Sequence, residues 1–201
     1  MPAPNYLTLS TEKAAECRRL FEFAGRIAAL FDSPRVQSST AIQATLDDLL
    51  GAVYALVLAR NHGYDDRLHA LDPRDIHAVS VRARDISIGQ VRTEGKWTAG
   101  FCFNNALFRI SAAYHRALKI VTGNENKKLY VESLLPAVHA LHPQWQNANL
   151  VKIHEQVNDL KHTAEGIYRG RDVWFDEAVS ALVELMSLIE AWEQSGSTAQ
   201  P

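Results

Sequence analysis

Apolar residues return at three- and four-residue steps along most of this chain, the signature of helices that bury one face. The first such pattern predicts a helix over 11–31, capped at Ser10, with Cys17, Leu20, Phe21, Ala24, Ala28 and Phe31 on its apolar side and a stop at Asp32-Ser33-Pro34. A second covers 39–60, with Ile42, Leu46, Leu49, Val53 and Val57 inward and Asn61-His62-Gly63 as its end. Asp72-Pro73 reads as a cap followed by a first-position proline. The helix it opens carries Ile76, Val79, Ala83 and Ile86, although alternation over 79–91 also fits a short hairpin. Gly95 and Gly100 bracket Trp97 in an expected turn. A helix over 101–121 follows, striped by Phe103, Leu107, Ile110, Tyr114, Leu118 and Val121 and closed by Gly123. The segment 127–141 predicts a shorter helix, broken or kinked at Pro136 and ended by His142-Pro143. The next helix, 149–164, turns Leu150, Ile153, Val157, Leu160 and Ala164 inward. Asp172 is the expected cap of the last helix, with Asp176 and Glu177 at its positive end and Trp174, Ala178, Leu182, Leu185, Ile189 and Trp192 along its stripe. Residues 195–201 are expected to be disordered. The fold class that follows is all-α: an up-and-down bundle of about six or seven helices.

Composition narrows the partners. With 201 residues, 47% of them hydrophobic, the chain can build a real core. A formal net charge of −2 argues against a surface coated in cations for non-specific nucleic-acid binding, while leaving room for a local basic patch. Cys17 and Cys102 stand far apart in apolar helical patterns, as buried free thiols do, so a reducing cytoplasmic setting is expected. The first nine residues lack a signal-peptide pattern, and no uninterrupted apolar run approaches the ~20 residues of a membrane span.

Chemistry is concentrated near the C-terminus. At 3.6 residues per turn, His154, Asn158 and His162 fall at steps of four and line one ridge, off the apolar stripe of their helix. That ridge is expected to face either solvent or another chain. Joined to Lys161, Arg169 and Arg171, it would bring an imidazole that moves protons near neutral pH together with groups that neutralise phosphate. Those are the parts of metal-free RNA cleavage, in which a 2′-hydroxyl attacks the neighbouring phosphorus.

The run Asn158-Asp159-Leu160-Lys161-His162, followed by Gly166 and a closing helix over 173–192, resembles the HEPN superfamily. These are helical bundles of prokaryotic defence and toxin–antitoxin systems whose hallmark is Arg-Asn-x-x-x-His. Asn158 and His162 match the hallmark Asn and His; Val157 stands where the hallmark Arg belongs. The stretch from Trp97 to Arg116 is similar to an earlier helix of such a bundle. The resemblance implies a HEPN-like bundle over 97–194 and a homodimer with its site shared between subunits; it does not cover 1–96, expected to be a helical region packed on that bundle. Without the hallmark Arg, phosphate stabilisation would have to come from Arg109, Arg116, Arg169 or Arg171.

Two further groupings stand apart. Asn105 and Arg109, four residues apart on a Phe-rich helix, form either a bridge that sets helix register or a contact with ligand. Asp66/His69 and Asp159/His162 each supply half of a helical metal site, with no second pair of carboxylates to complete one. No metal and no cofactor are therefore expected. The reading is a cytoplasmic, HEPN-like protein that binds RNA, a nucleotide or a cognate protein partner without catalysis. The alternatives are a metal-independent endoribonuclease using His162 and Asn158, and a metal-binding bundle.

Overall fold

A computed structural model of the chain describes residues 11–62, 95–161 and 173–197. Every regular element among them is a helix: α1 (Thr11–Leu30), α2 (Pro34–Gln37), α3 (Thr40–Asn61), α4 (Gly95–Val121), α5 (Val131–Leu141), α6 (Ala148–Lys161) and α7 (Phe175–Ser197). The all-α bundle expected from periodicity is the fold. The element expected after Asp72-Pro73, helix or hairpin, lies outside the described residues.

The bundle is organised around α4, which packs against α3, α5, α6 and α7. Its apolar residues go almost all round, so Ala99, Phe103, Ala106, Leu107, Ile110, Ala113, Tyr114 and Leu118 are all fully buried. α4 begins at Gly95, so the turn expected between Gly95 and Gly100 is helical instead. Burial of Ala99 and Phe103 outweighs the ~1 kcal/mol that each interior glycine costs a helix. At the other end Gly123 adopts φ 66°, Asn124 N donates to Lys119 O at 2.8 Å and Gly123 N donates to Ile120 O at 3.1 Å. That pair of bonds is the Schellman ending, which needs a left-handed residue at this point.

α3 lies alongside α4. Ser39 Oγ accepts from Ile42 N at 3.4 Å to start it, and Ile42, Leu46, Leu49, Val53 and Val57 are buried as expected. By length and composition alone α3 is apolar enough to cross a membrane, and half of that apolar stretch is buried inside the bundle.

Elsewhere the structure corrects the sequence reading. On α1 the buried line is Cys17, Leu20, Phe23 and Ile27; Phe21 and Ala28 point outward, because α1 presses only a narrow arc onto α3. Pro34 does not merely stop α1 but opens α2, where its missing N–H is no loss. α5 runs uninterrupted through Pro136, held by the burial of Val131, Leu134 and Val138. Trp174, placed on the stripe of α7, is half exposed and precedes the first turn. Its N–H donates to Glu177 Oε2 at 2.8 Å, the return bond of a capping box. Asp172, the expected cap, lies outside the described residues. Ser195 belongs to α7, not to a disordered tail, and accepts from Arg35 Nη1 at 3.3 Å. The same guanidinium stacks 3.8 Å from the centroid of Trp192 and donates to the Trp192 carbonyl, tying α2 to α7.

Tyr114, at the centre, is fully buried and its hydroxyl accepts from Asn147 Nδ2 at 3.3 Å. Burial pushes its phenol from the ordinary value near 10 up to about 12, with Glu184 and Glu132 adding to the rise and the Asn147 bond opposing it. The unfolded phenol therefore ionises first. Stability is intact below pH 10 and falls as pH rises toward 12, by on the order of 2 kcal/mol from this group. Urea unfolding at pH 9 and pH 11.5 should show that loss, and Tyr114→Phe should make it smaller.

Candidate functional site

On the flank of α4 that α3 and α6 leave open, Asn105, Phe108, Arg109, Ala112, His115 and Arg116 follow one another at helical steps. Together with Asp48 of α3, Ser111 and His154 of α6, they line an open groove of about 760 Å³. The volume falls in the range of small-molecule sites, ~300–1,000 Å³.

Asp48 organises the basic side of the groove. Unlike its exposed neighbour Asp47, it is part-buried, where a carboxylate needs partners. Its Oδ1 accepts from Arg109 Nη1 at 3.1 Å, and its Oδ2 accepts from Arg116 Nη2. Arg109 Nε also donates to Asn105 Oδ1 at 3.1 Å. Arg109, held by Asn105 on its own helix, thus bridges α4 to α3, and both residues line the groove. Arg109 lies across α3 at Gly51, where an added Cβ would sit 2.6 Å from Arg109 Nη1. Arg116 Nε is buried and has no hydrogen-bond partner among the described residues. Two guanidinium groups against one carboxylate leave the groove net positive in a chain of net negative charge. The arginine side chains are 41% and 35% exposed, so they remain open to a ligand.

α6 meets the groove from the opposite side, and here the structure overturns an expectation. His154 and Asn158 are part-buried instead of standing clear of the bundle: His154 packs on α4 and borders the open groove. His154 Nδ1 lies 2.9 Å from Ser111 Oγ, and Asn158 Nδ2 donates to His154 Nε2 at 3.1 Å. With Nε2 accepting, the imidazole carries its proton on Nδ1 and gives it to Ser111. The ring also sits edge-on to Tyr114 and His115, at 5.9 and 6.3 Å between centroids. α6 is gripped by both α4 and α7, so its contact arc is wider than its apolar stripe. Polar partners on α4 fill the difference. Gln156, on the same helix, is fully buried as well.

His115 was not singled out by the sequence, nor were Asp48 and Ser111. His115 Nε2 lies 2.7 Å from the Leu129 carbonyl, which can only accept, so that nitrogen holds the proton. Nδ1 is left with its lone pair. A signal existed for Asp48, a carboxylate amid Leu46, Leu49 and Val53, but nothing in the spacing pointed to its partners.

His162, Arg169 and Arg171 lie outside the described residues, as do the side chain of Lys161 and the pair Asp66/His69. Val157 is buried in the core. Among the described residues no cluster of three or more His, Cys, Asp or Glu side chains is arranged to hold a metal ion. No protein-family model, no curated protein and no solved structure matches the chain.

Proposed function

We propose that the groove between α3, α4 and α6 binds the phosphate backbone of RNA and does not cut it. On this reading the chain is a HEPN-like, homodimeric binding protein of a prokaryotic defence or toxin–antitoxin setting. The observation that carries the proposal is the convergence of Arg109 and Arg116 on one open, net-positive groove. Guanidinium forks match phosphate oxygens, and their outer N–H groups are not used up by one shared carboxylate.

The imidazoles favour binding over cleavage. Attack by a 2′-hydroxyl needs one group to take its proton and a second to protonate the departing 5′-oxygen. His115 has a nitrogen to offer, whereas both nitrogens of His154 are engaged with Ser111 and Asn158. Among the described residues that is one base without a free acid, which suits recognition. The buried Val157, in place of the hallmark Arg, points the same way.

The test is incubation of the full chain with labelled single-stranded RNA in EDTA, followed by fluorescence anisotropy and gel analysis. Saturable binding that weakens with salt, with the RNA intact, is the expected result. Cleavage in EDTA that His162→Ala abolishes would replace this reading with a metal-independent ribonuclease; absence of binding would end it.

A further inference from the structure

Resting on that reading, we infer that the groove takes a ribonucleotide unit of a single strand, with its base stacked on Phe108 and its phosphate on Arg109 and Arg116. Phe108 is 39% exposed and lines the groove. It is absent from both the buried core and the partly buried apolar residues packed against that core, so core packing does not account for it. One turn further along α4, Ala112 is exposed and presents only a methyl group, which leaves the surface beside the ring open. Arg116 lies eight positions beyond Phe108, about 12 Å along the helix at 1.5 Å per residue. That is a span which a base, its ribose and its phosphate fill.

The pieces have complementary tasks. An aromatic face accepts any base, because every base has a π-face, and it does so only when the base is not already stacked in a duplex. Arg116 is 35% exposed, and a phosphate oxygen that meets the open part of its guanidinium would gain a charge-assisted bond. Asn105 Oδ1 is occupied by Arg109, so its amide N–H groups remain for the sugar or base edge. A free nucleotide shares this base–ribose–phosphate chemistry, and competition by AMP distinguishes it from a strand.

The experiment compares three labelled probes on the full chain by anisotropy: a short oligoadenylate, an abasic ribose-phosphate oligomer of equal length, and a duplex. Wild type should prefer the oligoadenylate by roughly tenfold over the other two. Phe108→Leu should erase that preference while leaving abasic binding unchanged, and Phe108→Trp should keep it. Unlabelled AMP should displace the oligoadenylate only weakly. Equal binding of abasic and base-bearing strands, or no effect of Phe108→Leu, would overturn the stacked base while sparing the phosphate groove. AMP competing as well as the strand would overturn the strand as occupant. Failure of every probe to bind would remove the underlying reading, and the stacked base with it.

Discussion

Alanine at both Arg109 and Arg116 should lower affinity for single-stranded RNA by about a hundredfold or more. A hydrogen bond to a charged group contributes about 1.5–3 kcal/mol, and each 1.4 kcal/mol is about tenfold in affinity. Each single variant should therefore lose about tenfold to a hundredfold. The two losses will not simply add, because both side chains share Asp48. Melting temperature should fall as well, because Asp48, only 22% exposed, loses both guanidinium partners, while the buried apolar α3–α4 seam keeps the chain folded. Salt titration gives an independent reading: for single strands the slope of log K against log salt should shrink by about 0.7 for each phosphate that the variant no longer neutralises. Gly51→Ala is the milder companion. Its methyl would push the end of Arg109 aside without touching Arg116, and should weaken binding less than Arg109→Ala does. A double variant that binds RNA as wild type does would reduce the arginines to a bridge between helices.

Much of the bundle was legible because burial imposes a period. Ile42, Leu46, Leu49, Val53 and Val57 mark the inner face of α3, and the Phe103–Leu118 stripe marks that of α4, with no information beyond spacing. Spacing fails where a helix has fewer or more neighbours than average. α1 touches little, so the inward line shifted from Phe21 to Phe23. α6 touches two helices, so His154, which periodicity sets outside, is part-buried against Ser111, Tyr114 and His115. The site suffers most from this blindness. Periodicity identifies His154, Asn158, Asn105 and Arg109 as polar positions, but it cannot say that α3 supplies the carboxylate that Arg109 binds. Asp48 and His115 acquire meaning only through residues 61 or more and 14 positions away, respectively. The physical rule that would have flagged Asp48 is the expense of a charge in an apolar helix, which demands a partner without naming it.

The largest stability effect outside the apolar core is expected at Glu184, on α7. Glu184→Ala should lower stability by about 2–3 kcal/mol, which for a domain of this size is roughly 5–10 °C in melting temperature. The reason lies in the start of α6. The first N–H groups of a helix have no partner within it, and its N-terminus carries partial positive charge. Glu184 answers both: Oε1 accepts from Asn149 N at 3.2 Å and Asn149 Nδ2 at 2.6 Å, and Oε2 accepts from Leu150 N at 3.0 Å. Its own carbonyl accepts from Trp145 Nε1 at 2.8 Å, which fixes the segment entering α6. Removing the carboxylate leaves those donors part-buried and unsatisfied, while Glu184→Gln keeps an acceptor and should lose only about half as much. The consequence should be local before it is global. Hydrogen exchange should quicken in α6 ahead of α3 and α4, because the α3–α4 seam does not depend on this carboxylate. RNA affinity should then fall only modestly, since Arg109 and Arg116 stay with Asp48 while His154 loses its fixed place beside Ser111. Unchanged melting and unchanged exchange in α6 would mean that α7 does not anchor the helix that closes the groove.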